Sequence, residues 1–341
     1  MTQTPEYFRP LVQTGPTRPA GALRLAGGWG WFTDVEVLAR GRVPRIISAA
    51  DIPMDVAERL SIPRRDVGSL RMDRPRVMGI LNTTPDSFSD GGVHAAAADA
   101  VRAGVAMRDA GVDLLDVGGE STRPGAKTVP DAEEIRRTAP VIKGLRDAGV
   151  ETLISIDTRK AQVADAAIAA GAGLINDVSG FTYDVDLTPL AAARDVPVCV
   201  MHALGDPATM QQDPQYDDVL LDVYDFLAGQ IATLEAAGIA RDRIIADPGI
   251  GFGKTLTHNL TLLARLSLFH TLGVPILLGA SRKRFIGTIG GTDEAASRMP
   301  GSIAVALAGI SQGVQILRVH DVPQTIEAIA LWRASTSGQH T

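Results

Sequence analysis

The chain has 341 residues, 45% of them hydrophobic, a single cysteine and a formal net charge of −6. That apolar content suffices for two domains, or for one barrel of about 250 residues with material added to it. The acidic balance argues against a general nucleic-acid binder, which needs a basic face. No apolar run approaches the roughly 20 residues needed to span a bilayer.

Residues 1–75 differ from the rest. They hold 11 Arg against 8 Asp and Glu, with no lysine, so they are net +3 and the remainder is −9. Short helices are expected over 35–40 and 50–60, the second capped at Ser48 or Asp51. The run Trp29-Gly30-Trp31-Phe32 points to an ordered segment packed on something, because disordered linkers rarely carry aromatics. Met1–Pro10 lacks the apolar stretch of a signal peptide. One cysteine excludes an internal disulfide. Cys199 lies in the apolar run 196–200 and reads as a buried, inert thiol. A soluble, cytoplasmic protein is expected.

From Arg76 a regular alternation begins. Strands are predicted over 76–82, 112–118, 151–157, 173–178, 196–202, 243–247, 274–280 and 315–320. The intervals carry apolar residues three and four apart, as in Ala97, Val101, Val105 and Ala106, the mark of helices. Ala-Gly or Leu-Gly pairs near 110–112, 148–150, 170–172 and 272–274 read as helix C-caps before the next strand. The run 217–238 reads as an extended fifth helix. An open doubly wound sheet is the alternative. Eight units, each ending its strand in polar residues, favour an α/β fold of the (β/α)8 TIM-barrel type over 76–335. The N-terminal extension 1–75 would pack on it, and 336–341 would be a tail.

The strand ends carry the chemistry. The first loop, 82–92, is polar and glycine-ended with Phe88 at its middle, which suits a lid over bound substrate as well as a plain surface turn. The second, 118–125, sets Arg123 between Thr122 and Pro124, and a guanidinium there fits a phosphate or carboxylate. Asp157, Asn176, Asp247 and Lys283 end strands three, four, six and seven. They could be rim salt bridges, but together they suit a heterocycle whose amino group and ring N–H donate to carboxylate while its carbonyl accepts from lysine. Arg318 and His320, two apart on strand eight, share a side and make an anion pocket with Arg123. The stretch 247–255 looks like a nucleotide-binding P-loop, but its spacing does not fit and that reading is rejected. No Cys/His grouping has zinc-ligand spacing.

Taken together, Met78–Gly92, Asp116–Gly125, Ser155–Thr158, Ile175–Gly180, Val200–His202, Asp247–Lys254, Ser281–Lys283 and Arg318–Val322 resemble the dihydropteroate synthases in the family's order. The resemblance implies condensation of 6-hydroxymethyl-7,8-dihydropterin pyrophosphate with p-aminobenzoate, in folate synthesis. It further implies that Asp157, Asn176, Met201, Asp247, Lys283 and Arg318 bind the pterin. Asn82, Thr122, Arg123, Arg318 and His320 would bind the pyrophosphate, and Phe88, Thr122, Pro124, Lys283 and Arg284 the p-aminobenzoate. Asp157, Arg123, Lys283, Arg318 and His320 would carry catalysis. Asn82 would bind Mg²⁺, supported by Asp90 and Asp116. A homodimer acting on small molecules, without nucleic acid or membrane, is implied, as is sulfonamide inhibition. Two departures stand out: Arg284 where many members carry serine, and the long extension, which could cover the barrel bottom, widen a dimer interface or bind another partner. A pterin-binding corrinoid methyltransferase and a non-catalytic pterin-binding homologue are the alternatives, both disfavoured by the intact second loop and anion pocket.

Overall fold

The computed structural model describes residues 5–83, 92–121, 125–126, 128–205 and 209–338. The extension opens with strand β1 (Tyr7–Pro10), the hairpin of β2 (Leu23–Arg24) and β3 (Trp31–Phe32), then β4 (Asp34–Leu38) and β5 (Arg45–Ser48). Strands β1, β4 and β5 pair antiparallel in the order β1-β4-β5. The helix expected over 35–40 is therefore corrected to a strand. Val35 and Val37 are buried on one face while Glu36 turns to the other and meets Arg9, its cross-strand partner, at 2.6 Å. Pairing on both sides with β1 and β5 holds that segment as a strand, with its β-branched residues turned inside. The second expected helix exists as α1 (Met54–Ser61). It starts later than expected because Pro53 holds Ile52 extended. Ser48 caps only a 3₁₀ turn at Ala49–Asp51, accepting from the backbone of Ala50.

The barrel follows as β6 (Arg76–Asn82), α2 (Gly92–Asp109), β7 (Leu114–Gly118), α3 (Asp131–Asp147), β8 (Leu153–Asp157), α4 (Ala161–Ala170), β9 (Leu174–Asp177), α5 (Leu187–Arg194) and β10 (Val198–Met201). It continues through α6 (Val219–Ala236), β11 (Ile244–Asp247), α7 (Leu256–Ala264), β12 (Leu277–Leu278), α8 (Arg284–Gly290), α9 (Met299–Ser311), β13 (Ile316–Val319) and α10 (Val322–Ser337). These eight strands are parallel neighbours, and a bridge between Ala246 and Ile276 joins the two ends of the sheet into a closed barrel. All eight predicted strands are present. The seventh shrinks to two residues, since Pro275 has no N–H for the ladder. Gly111, Gly149, Gly171 and Gly273 all take positive φ at the predicted helix ends. Helix α10 runs two residues past the expected boundary and stops at Gly338.

The extension is bound to the barrel by specific contacts. Trp29 Nε1 donates to the Ile310 carbonyl at 2.8 Å, Tyr7 Oη donates to Asp225 at 2.9 Å, and Ser267 Oγ donates to the Pro10 carbonyl at 2.9 Å. Its last turn, where Val67 and Leu70 bond to each other, enters the base of the barrel. There Val67, Leu70 and Met72 pack with Met78, Leu114, Leu153, Leu174, Cys199, Ile245, Leu277 and Ile316 in one buried cluster. The lower end of the barrel is thus stoppered by the segment that leads into its first strand. Cys199 lies inside this cluster, and burial pushes its thiol well up, as an inert cysteine requires.

Candidate active site

The opposite, C-terminal end of the barrel gathers the polar side chains. Register sets Asp157 beside Asn176, Gly118 beside Asp157, and Met201 beside Asp247. In a closed parallel barrel alternate residues of each strand face inward, so the inner wall acquires these groups from several strands at once. Arg318 sits among them. Its Nε donates to Asp116 Oδ2 at 2.6 Å and its Nη2 to Asp157 Oδ2 at 2.6 Å, while Asn176 Nδ2 donates to the same Asp116 oxygen at 3.1 Å. Asp116 thus serves as a brace between strands two, four and eight. Asp157, Asn176, Met201 and Asp247 are all buried.

The loop after β11 supplies the other wall. Asp247 Oδ1 accepts from the Gly249 amide at 2.7 Å. Only glycine fits at 249: φ is +67°, and a Cβ there would lie 1.8 Å from the His202 carbonyl oxygen. Lys283 reaches back to donate to the Ile250 carbonyl, and its ammonium lies 4.3 Å from the centre of the Phe252 ring. Below it, Lys254 Nζ contacts His202 Nδ1 at 2.9 Å and the Phe252 carbonyl at 3.0 Å, both lysine and histidine being buried.

Burial dominates the electrostatics. It raises Asp157 against the pull of Arg318, and raises Asp247 against Lys283 and the Gly249 amide. It lowers Lys283 to about 7, with Asp247 opposing. His202 is pushed down to about 2 by burial and by Lys254, so its imidazole is neutral.

The remaining expected residues fall at the rim. Asn82 ends β6, half-buried. His320 Nδ1 meets Ser281 Oγ at 3.0 Å, and the His320 amide donates to the same hydroxyl at 3.2 Å, so Ser281 orients the imidazole. Arg282, at φ +58°, turns away to pair with Asp321. Arg284 is the first residue of α8 and is exposed. Phe88, Asp90, Thr122, Arg123 and Pro124 lie outside the described residues.

Several members of the site carried no role in the sequence reading. Phe252 was hidden among loop glycines, although an aromatic in a glycine-rich strand end is a usable signal. Arg159 and Lys160 follow Asp157 after one residue and are buried. Arg159 donates to Glu120 at 2.6 Å and its guanidinium lies 4.1 Å from the centre of the Tyr183 ring. Lys160 bonds Glu120, the Val129 carbonyl and, at 2.6 Å, Glu134. One ammonium therefore ties Glu120, just after β7, to Val129 and the first turn of α3.

Among the described residues no group of three or more His, Cys, Asp or Glu could hold a metal. The side-chain oxygen of Asn82 lies 3.8 Å from the position a Cβ would take on Gly118, beside the Asp157 carboxylate. A single hard oxygen donor there fits an ion such as Mg²⁺ that draws most of its ligands from substrate phosphates and water.

Residues 78–320 match the pterin binding enzyme family. The chain is 46% identical over 271 residues to the dihydropteroate synthase of Escherichia coli strain K12, covering 80% of this chain and 95% of that one. The Xanthomonas albilineans dihydropteroate synthase solved with 4-aminobenzoic acid superposes with a TM-score of 0.74 at 47% identity, covering 78% of this chain and 94% of that one. The Yersinia pestis enzyme in complex with a sulfonamide drug gives 0.74 at 44% identity, covering 79% and 96%. A barrel with this inner wall, and sequence identity of this extent, place the chain in the dihydropteroate synthase family of pterin-binding enzymes.

Proposed function

We propose that the chain condenses 6-hydroxymethyl-7,8-dihydropterin pyrophosphate with p-aminobenzoate, releasing pyrophosphate and forming 7,8-dihydropteroate. The observation that carries this is the inner wall itself: buried Asp157, Asn176 and Asp247 with Lys283 and Arg318, in a chain of this family. Asp157 and Asp247 accept from the pterin amino group and ring N–H, Asn176 completes the edge, Lys283 donates to the ring carbonyl, and Met201 makes an apolar wall.

The reaction runs by dissociation. The C–O bond to the diphosphate breaks first and leaves a cation on the exocyclic methylene, delocalised into the electron-rich ring. Asp157 stabilises that positive charge, and Arg318, Arg123, Thr122 and His320 hold the departing anion. Ser281 fixes which ring nitrogen His320 presents. Asn82 would hold Mg²⁺, with Asp90 as a supporting carboxylate, and the ion would supply neutralising charge to the diphosphate. The amine of p-aminobenzoate is neutral at pH 7 and attacks the cation without a strong base, then loses its proton to water. Phe88 and Pro124 close over its ring, and Arg284 meets its carboxylate from the exposed start of α8.

Among the described residues no helix is long and apolar enough to cross a membrane. The single cysteine, buried at the base of the barrel, supports a cytoplasmic site of action, and the family supports a homodimer. The deciding experiment is pyrophosphate release from purified protein with the pterin pyrophosphate and Mg²⁺, with and without p-aminobenzoate. Release that depends on p-aminobenzoate, with dihydropteroate formed, is expected. Bound pterin without product would refute the reading in favour of a non-catalytic homologue, and methyl transfer to a corrinoid would refute it in favour of a methyltransferase.

A further inference from the structure

Two carboxylates share one guanidinium across the barrel mouth. Arg318 gives Nε to Asp116 and Nη2 to Asp157, each at 2.6 Å. Those two donors form one edge of the planar fork, which usually grips a single carboxylate in parallel. Here the edge is split. The two partners differ in access: the Asp116 side chain is 0% exposed, against 7% for Asp157 and 19% for Arg318. Asp116 sits behind the guanidinium, where a ligand in the mouth cannot touch it. Its second oxygen, Oδ1, is buried without a hydrogen-bond partner among the described residues. Its charge therefore leans on Arg318, and its amide contact from Asn176 links a second wall residue to the same atom.

The functional reading above, on which this inference rests, makes two demands on a contact that already exists. The pterin donors need Asp157, and Arg318 Nη2 occupies an Asp157 oxygen in the free protein. The diphosphate needs Arg318, and Arg318 is engaged with Asp157. Both demands are met by one exchange. When the ring takes Asp157, the Nη2 side of the guanidinium is released, while Nε stays on Asp116. We propose that Asp116 is a positioning residue that anchors Arg318 through this exchange, so that ring recognition at Asp157 hands the guanidinium to the diphosphate.

The chemistry favours an anchored exchange over a free swing. A long side chain cut loose from both carboxylates would lose its orientation and regain rotamer freedom that diphosphate binding would have to remove again. Held at Nε, it presents Nη1 and Nη2 toward the mouth with most of that ordering already done. Nη1 has no hydrogen-bond partner among the described residues, so one donor group is available even before the exchange. The arrangement couples two ligands that need not touch each other, and coupling of this kind is reciprocal.

The test separates ring from anion. The dissociation constants of 6-hydroxymethylpterin, which lacks the diphosphate, and of inorganic pyrophosphate with Mg²⁺ are measured by calorimetry, each alone and in the presence of the other. In the wild-type protein each is expected to tighten the other by about tenfold, inside the usual range of coupling between sites. In Asp116→Asn the tightening is expected to fall to about threefold or less, on the same scale, with 6-hydroxymethylpterin alone still bound. Independent binding in the wild type, or unchanged coupling in Asp116→Asn, would overturn the inference while leaving the functional reading intact. Should thermal melting show Asp116→Asn to be unfolded, Arg318→Lys decides. It keeps the charge but replaces the fork by a point donor, and retained coupling there would also overturn the inference. A wild-type protein that binds neither ligand would overturn the functional reading and the inference with it.

Discussion

Truncating Leu70 to alanine tests the role of the segment that stoppers the barrel. Leu70 is 4% exposed and packs against the buried side chains at the base of the inner wall. Losing three carbons forfeits about 2.4 kcal/mol of transfer free energy at roughly 0.8 per methylene. A residual cavity on the order of 50 Å³ adds about 1.2 kcal/mol at roughly 24 cal/mol per Å³. The sum, about 3.6 kcal/mol, lies in the usual range for buried leucines. The barrel wall is a closed ring of paired strands and is unable to collapse inward, which keeps the cavity term. With a urea slope of about 3 kcal/mol per molar for a chain of this size, the midpoint falls by about 1 M. Intrinsic tryptophan fluorescence follows the transition, because Trp29 reports the seam between extension and barrel. Ile46→Ala is the control: it lies in the same extension, 66% exposed, and changes stability by no more than about 0.5 kcal/mol. Turnover per folded molecule stays unchanged in both. A Leu70→Ala midpoint indistinguishable from that of Ile46→Ala would refute the argument that residues 67–72 complete the core.

Three further outcomes are expected. Lys283, held down to about 7 by burial, is protonated below that pH and neutral above it; the affinity of the free enzyme for pterin should weaken between pH 7 and 9, and Lys283→Met should flatten that limb in a pH series of dissociation constants. Replacing Arg284 by alanine removes an exposed charged donor worth roughly 1 kcal/mol, so KM for p-aminobenzoate rises about fivefold with KM for the pterin unmoved, and sulfonamide inhibition weakens in parallel; equal shifts in both KM values would remove Arg284 from that subsite. Lys160→Met leaves the buried carboxylates of Glu120 and Glu134 without their shared cation, a loss of about 3–5 kcal/mol. Burial already raises Glu134, so acid protonates it early, and the defect seen by urea unfolding should be smaller at pH 5.5 than at pH 8. A defect independent of pH would show that lost packing, not stranded charge, causes it.

The barrel was legible because its signals are local and repeated. Each strand is a short apolar run, each helix a three-and-four pattern, and the glycines that end four helices announce their positive φ. The wall residues were legible for the same reason: Asp157, Asn176 and Asp247 are the last residues of their strands or next to last, and such a barrel carries its chemistry at that end. The extension was less readable. Asp34-Val35-Glu36-Val37-Leu38 is too short for its period to be decisive, and its strand character comes from pairing on both sides with β1 and β5.

Local pattern thus determined the units, their order and which residues stand at the catalytic end, since these follow from the chain's own periodicity and turn chemistry. Partnership was decided only by the closed tertiary structure. Arg318 meets Asp116 across 202 residues and Asp157 across 161, and Lys160 reaches Glu120 across 40. Sequence spacing carries no information about which of several inward charges will touch. The barrel's closure brings strands two, three and eight to one axis, and burial then demands that every charge there find its partner. The same closure gives the segment 67–72 its place, because a barrel leaves an apolar end that something must cover.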